Sequence, residues 1–292
     1  MNPVPAAASR SLFLADLARH ALLEDRAGYD VTTMAVLQPD LAGSACIRTR
    51  EPVVSSGVDM AMEVFLAADS HLQVHAEAGE GTRVAAGETI LMVEGSSASI
   101  LSAERTALNF LQHLCGIATL ARQAMQAVAG SPVQLLATRK TLPGLRNLQR
   151  RAAEAGGFAP HRTSLADGIL IKDNHIALCG SAAQAVTRAR SQAPSHLLIE
   201  VEIEAPDQLE AVITAGAQIV LLDNFTPEQV AQVVTATRQR VLLEASGGIT
   251  METLPLYAAT GVDRISVGFV THSAPAVDLF MDLTPAETRH DA

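Results

Sequence analysis

The 292-residue chain is short of several things, and each shortage narrows what it can be. Its three cysteines, Cys46, Cys115 and Cys179, are odd in number and far apart, which fits neither a disulfide framework nor a zinc site. They read as small core hydrophobes, and a reducing cytoplasm is the expected location. No apolar run approaches the ~18–20 residues needed to cross a bilayer. The longest, such as Ile219-Val220-Leu221-Leu222, read as buried strands. The opening MNPVPAAASR lacks a basic start followed by an apolar block, which argues against a secretory signal. A formal net charge of −10 argues against a general nucleic-acid binder, and no membrane partner is expected. No low-complexity segment, internal repeat or Ser-His-Asp arrangement is evident. With 48% hydrophobic residues, general disorder is excluded, and the length suits one large or two ordinary domains.

Lysine is the sharpest shortage. Only Lys140 and Lys172 occur, against 19 arginines, and both fall between Thr138 and His175. That segment carries +4 while the rest of the chain carries −14. A basic pocket in an acidic protein points to a small anionic ligand. Two lysines surviving in an arginine-rich chain point to places where a compact ammonium is wanted rather than a planar guanidinium.

The second half alternates regularly. Apolar runs at 133–137, 168–171, 197–203, 218–222, 241–244 and 264–267 are separated mostly by helix-like stretches, with Pro206, Pro227 and Thr250 near three helix starts. This pattern predicts a parallel α/β fold, and a barrel rather than an open sheet because polar residues end every strand. The ends read Thr138-Arg139-Lys140, Lys172 to His175, Glu202, Asp223-Asn224, Ser246-Gly247-Gly248 and Gly268, and in a barrel they meet at one mouth. The first ~110 residues show a helix at 12–23, short strands around 43–50 and 84–93, and glycine turns, the marks of a separate α+β domain. A long helix is expected over 102–128. The expected domains are 1–113, with 274–292 packing on it, and 114–273 with the active site.

Arginine forks suit carboxylates, so Arg139, Arg162 and Arg105 could bracket a ligand with more than one carboxylate, with His161 as a further donor. Arg139 ends a buried strand, where an unpaired charge is costly. Ser246-Gly247-Gly248 and Val267-Gly268 end the last two strands and suit a phosphate cup. Glu202 and Asp223 could hold Mg²⁺ with ligand phosphates or bind ribose hydroxyls. They could equally be a general acid/base pair or ion-pair partners of the lysines. His175 stands at the same mouth, with a structural and a functional reading both open. Arg146, Arg150 and Arg151 read as surface residues. His20, His71, His75, His113, His196 and His290 read as ordinary.

Several motifs in order, SAERTALNFLQHLCGIAT (102–119), ATRKTLPGLR (137–146), HRTSLADGILIKDNH (161–175), EVE (200–202), LLDNF (221–225), EASGGIT (244–250) and TGVDRISVGFVTHS (260–273), resemble quinolinate phosphoribosyltransferase, also called nicotinate-nucleotide pyrophosphorylase (carboxylating). EDRAGYDVTT near the start resembles that family's N-terminal signature, and the likeness runs from about Ala18 to Leu283. It implies an N-terminal α/β sandwich and an open TIM-like α/β barrel. It also implies transfer from phosphoribosyl pyrophosphate to quinolinate with Mg²⁺, giving nicotinate mononucleotide, pyrophosphate and CO₂ in NAD synthesis. By that resemblance Arg105, Arg139, His161 and Arg162 hold the pyridine carboxylates, while Lys140 and Lys172 contact phosphoribosyl pyrophosphate and steady charge around the ring. Glu202 and Asp223 hold ribose and Mg²⁺, partly through the pyrophosphate. Thr138, His175, Ser246, Gly247, Gly248, Ser266, Val267 and Gly268 complete the substrate site. The resemblance implies a homodimer or dimer-based hexamer in which Arg105 reaches the neighbouring site.

The chain departs from the family pattern at GGFAPHR (156–162), where Phe158 and Pro160 replace a usual glycine and asparagine, and at Tyr29. The first departure adjoins His161 and Arg162 and leaves two alternatives: a sister pyrophosphorylase with another anionic acceptor, or a non-catalytic phosphoribosyl-binding relative.

Overall fold

The computed structural model describes residues 6–237 and 239–286. The chain divides into two compact units, residues 1–119 with 274–292, and residues 120–273. Of the C-terminal stretch expected on the first unit, residues 287–292, including His290, lie outside the described residues.

Strands β1 (Ala42–Thr49), β2 (Val53–Val54), β3 (Gln73–Ala76), β4 (Arg83–Val84) and β5 (Thr89–Ser96) belong to the first unit. Strands β6 (Gln134–Ala137), β7 (Ile169–Ile171), β8 (Ile199–Ile203), β9 (Ile219–Asp223), β10 (Leu242–Ser246) and β11 (Arg264–Val267) belong to the second, and β12 (Leu279–Pro285) returns to the first.

The first unit is an antiparallel sheet in the order β12-β1-β5-β3, with helices at Ala6–Glu24 and Val58–Ala68. Alternate residues of β1, Gly43, Ala45, Ile47 and Thr49, are buried, as one covered face requires. A 31-residue helix, Ser97–Ala127, follows β5, and the division between units falls inside it. The returning chain crosses this helix at Gly116, where any Cβ would stand 2.1 Å from the Pro275 carbonyl oxygen. Gln112 then holds it with two bonds, accepting from the Val277 amide at 3.2 Å and donating to the Leu279 carbonyl at 3.1 Å.

The second unit is a six-stranded parallel sheet in the order β6-β11-β10-β9-β8-β7. All five residues of β8, Glu200 and Glu202 among them, and four of the five in β9 are buried, as a sheet covered on both faces requires. The sheet curls until Gln134 and Leu136 of β6 and Ile169 of β7, at opposite ends of the strand order, line one cavity. β6 and β7 do not pair, so the barrel is open there. The edge of β6 is met by residues 158–160: the Ala159 amide donates to the Leu135 carbonyl at 2.9 Å, and Phe158 is buried. The unusual GGFAPHR segment thus finds its place at the open edge, where Pro160 has no ladder bond to withhold.

The expected helices after Pro206 and Pro227 form at Leu209–Thr214, after one 3-10 turn, and at Pro227–Thr237. The one expected from Thr250 does not begin until Leu254, and it runs only to Ala258. Gly247 and Gly248 take φ +92° and +60°, which breaks regular structure after β10, and Pro255 sits in the first turn of the short helix.

Candidate active site

Five of the six strand ends converge as expected, while Glu202 at the end of β8 lines a neighbouring cleft instead. Thr138, Arg139 and Lys140 after β6, Lys172 after β7, Asp223 of β9, Ser246 and Gly247 at the end of β10, and Ser266 of β11 line a single cavity of ≈310 Å³. His161 and Arg162 enter it from the segment at the open edge. A larger cavity of ≈510 Å³ lies in the first unit against helix Ala6–Glu24 and holds none of the candidate residues.

Lys140 is seated by backbone and by an absent side chain. Its amide donates to Thr138 Oγ1 at 3.2 Å, and its carbonyl accepts from Thr271 Oγ1 at 2.9 Å. A Cβ on Gly268 would stand 3.1 Å from Lys140 Cδ and 2.9 Å from the His272 ring, so the glycine makes room for the lysine stem. Gln149, wholly buried, braces the same loops by accepting from the Leu142 amide at 2.7 Å and donating to the Thr271 carbonyl at 3.1 Å. Nothing in the sequence reading singled out Gln149, because a lone glutamine in a helical run carries no signal of its loop partners.

Lys172 pairs with Glu202, which also lines a neighbouring ≈200 Å³ acidic cleft with Asp173 and Glu204. Asp223 is partly buried, and burial together with the charge of Glu202 raises its carboxyl pKa. Asn224 Nδ2 donates to Asp223 Oδ2 at 2.6 Å from a backbone held at φ +59°, a left-handed conformation that asparagine tolerates better than most residues. The Asn224 amide donates to the Ser246 carbonyl at 2.9 Å, tying the ends of β9 and β10 together. A Cβ on Gly247 would fall 2.3 Å from Asn224 Oδ1, whereas one on Gly248 would meet nothing within 4 Å.

Arg139 and Arg162 face the cavity together. Burial first, then the charge of Arg139, lowers the Arg162 pKa, and Arg139 Nε is buried with no hydrogen-bond partner among the described residues. Two guanidinium groups so close, one holding an unspent donor, have the chemistry that suits a carboxylate.

Several candidates stand apart from this group. His175 Nδ1 accepts from the Lys172 amide at 3.0 Å and starts helix Asp173–Cys179; its ring does not line the cavity. The Val267 side chain is buried in the core, and Gly248 lies outside the lining. Arg105 is exposed on helix Ser97–Ala127 in the first unit. Arg146 and Arg150, expected at the surface, are half-buried and bonded to Thr141 and Glu154.

His161 is placed differently from a free carboxylate donor. Its Nδ1 accepts from the Arg162 amide at 2.7 Å, and its Nε2 faces Glu244 at 3.4 Å and Glu200 at 3.8 Å. Burial favours the neutral ring, but Glu244 and Glu200 outweigh it and raise the pKa. Glu200 and Glu244 are the site residues that pattern reading missed. Both lie inside buried strands, where nothing local along the chain marks them as facing His161.

Comparison with known proteins agrees with this geometry. Residues 30–115 match the model of the quinolinate phosphoribosyl transferase N-terminal domain, and residues 117–282 that of the C-terminal domain. The chain is 41% identical over 276 residues to the nicotinate-nucleotide pyrophosphorylase (carboxylating) of Mycobacterium leprae, covering 92% of this chain and 96% of that protein. The solved nicotinate-nucleotide pyrophosphorylase from Francisella tularensis superposes with TM-score 0.90 at 38% identity, over 97% of this chain and 98% of that one. That from Ehrlichia chaffeensis superposes with TM-score 0.87 at 32% identity, over 97% and 100%.

Proposed function

The chain belongs to the quinolinate phosphoribosyl transferase family, and from that premise we propose how its own residues carry the reaction. The enzyme transfers the phosphoribosyl group of phosphoribosyl pyrophosphate to quinolinate with decarboxylation, giving nicotinate mononucleotide, pyrophosphate and CO₂. The observation that carries the assignment of roles is the gathering of Arg139, Lys140, Arg162, Lys172, Asp223, Ser246 and Gly247 around one cavity.

Arg139 and Arg162 receive the two carboxylates of quinolinate, the unpartnered Arg139 Nε supplying one donor. The turn at Ser246-Gly247 receives the 5′-phosphate with loop amides; the helix beyond it is too short and begins too late to serve. Lys140 and Lys172 face the charge that changes during transfer. The pyridine nitrogen attacks the ribose carbon as pyrophosphate leaves, so holding the two reactants in line and balancing charge are most of the work. The quaternised ring then stabilises the electron pair left on C2 as the bond to the 2-carboxylate breaks and CO₂ departs, and C2 takes up a proton from solvent.

Glu202 and Asp223 offer hard oxygen donors side by side. The upward pull of Glu202 on the Asp223 pKa is the electrostatic strain that a divalent cation relieves. These residues therefore fit Mg²⁺, which would neutralise pyrophosphate charge, and they also suit the ribose hydroxyls. We assign a homo-oligomer in which exposed Arg105 completes a neighbour's site. Within one short stretch of the first unit, Leu23, Tyr29, Val31, Met34 and Val36 leave large apolar side chains exposed, which supports an association surface there. No helix among the described residues is long and apolar enough to cross a membrane, and the three cysteines are free, in keeping with a cytoplasmic enzyme.

The test is product formation by purified protein with quinolinate, phosphoribosyl pyrophosphate and Mg²⁺, with nicotinate as a parallel acceptor. Turnover with quinolinate alone is expected. Binding of phosphoribosyl pyrophosphate without product from quinolinate would refute the assignment and direct attention to residues 158–160.

A further inference from the structure

Glu244 lies on β10 two residues before Ser246, in the wall of the catalytic cavity. It is wholly buried, and neither carboxylate oxygen has a hydrogen-bond partner among the described residues. Glu200 on β8 is buried beside it, with Oε1 equally unpartnered. Glu200 lines a second cavity of ≈450 Å³ at the other end of the strands, and His161 and Arg162 belong to both cavities. Two buried carboxylates with so few partners are costly, and packing alone gives no reason to keep them.

What the two carboxylates share is one atom, His161 Nε2. The three donor atoms lie within 4.8 Å of one another, close enough to suggest a metal ion. The other side of the ring argues against one. Nδ1 accepts the Arg162 amide at 2.7 Å, so the neutral ring carries its proton on Nε2 and has no lone pair there for a cation. Instead Nε2–H points at the carboxylates while Nδ1 holds the backbone of Arg162. The arginine head group is held in turn where Nη1 donates to the Gly168 carbonyl at 3.3 Å.

We propose that Glu244, with Glu200 behind it, is a positioning residue for the acceptor site: it fixes the His161 ring in the Nε2–H tautomer, whose Nδ1 anchors Arg162 so that its guanidinium meets a quinolinate carboxylate. The inference rests on the assignment of Arg162 to the acceptor. It gives His161 a role one step removed from the ligand and accounts for the retention of two destabilising carboxylates.

The test compares Glu244→Leu and Glu244→Gln with the unaltered enzyme in quinolinate affinity, in KM for each substrate, in Tm, and in the ¹⁵N shifts of the His161 ring. Glu244→Leu is expected to weaken quinolinate binding by about tenfold or more, as a misplaced binding group does. It should leave KM for phosphoribosyl pyrophosphate unchanged and Tm close to that of the unaltered enzyme, because removing a buried carboxylate offsets the lost contact with His161. Glu244→Gln keeps an acceptor oxygen and should recover most of the affinity. In the unaltered enzyme the ring shifts should report Nε2 protonated and Nδ1 bare. Unchanged quinolinate affinity in both variants, an equal rise in both KM values, or an Nδ1-protonated ring would overturn the inference. Arg139→Ala, run in parallel, separates the two failures. If it too binds quinolinate normally, the acceptor site itself is misassigned; if it alone loses binding, only the positioning role falls.

Discussion

Gly247→Ala puts the proposed phosphate turn under direct strain, and the structure sets the scale. The added Cβ would stand 2.3 Å from Asn224 Oδ1 and 2.7 Å from both Asn224 Cγ and its backbone nitrogen. The residue would also have to hold φ +92°, which costs an L-amino acid about 1–2 kcal/mol. Relief requires Asn224 to swing away and give up its hydrogen bond to Asp223, about another 1 kcal/mol for an exposed pair. The sum, about 2–3 kcal/mol, corresponds to weaker phosphoribosyl pyrophosphate binding by roughly thirty- to a hundred-and-fiftyfold. The assay is KM for phosphoribosyl pyrophosphate at saturating quinolinate, with quinolinate affinity measured separately and expected to hold. Asn224→Gly removes the clashing side chain while tolerating the left-handed backbone, so in the Gly247→Ala background it should recover part of the loss, with coupling visible in the double-mutant cycle. Gly248→Asn is the control, since φ +60° suits asparagine and a Cβ there meets nothing. A near-normal KM in Gly247→Ala, or losses in the two Gly247→Ala backgrounds that are equal, would refute the interlock of Asn224 with the turn.

Lys140→Ala should lower kcat by about a hundredfold or more with Tm preserved, the order expected for a charge-stabilising group; near-normal turnover would remove its assigned role. Mixing Arg105→Ala with Lys140→Ala subunits should restore some activity if Arg105 completes a neighbour's site, and no recovery after verified subunit exchange would count against that sharing. Cys115 is buried, and burial chiefly pushes its thiol up to about 12, so it stays protonated near pH 8. A thiol reagent should therefore label Cys46 and Cys179 in the native enzyme and Cys115 only after unfolding; fast labelling of all three without unfolding would contradict that burial.

The six strands of the second unit were legible because apolar residues predominate in each short run and polar residues follow it, even with Glu200 and Glu202 inside β8 and Glu244 inside β10. Arg139, Lys140, Lys172 and Asp223 were legible for the same reason: they follow such runs directly, and the lysines stood out against an arginine-rich background. Thr250 misled, because capping chemistry is local while the left-handed pair Gly247 and Gly248 and the placement of Pro255 decided where the helix could begin.

By itself, then, the sequence determined which segments of the second unit become strands and which charged residues stand at their ends, since both depend on neighbours along the chain; in the first unit it showed β1 but not β3 or β12, and the stretch expected at 84–93 is β4 followed by β5. The tertiary structure decided who meets whom. It set β6 beside β11 and left its other edge to Ala159, it made Gly268 the space for the Lys140 stem, and it brought Gln149 to two distant loops. It also turned His161 from a ligand donor toward Glu200 and Glu244. Those relations join residues dozens of positions apart, where a hydrogen bond or a missing Cβ leaves no periodic trace in the chain.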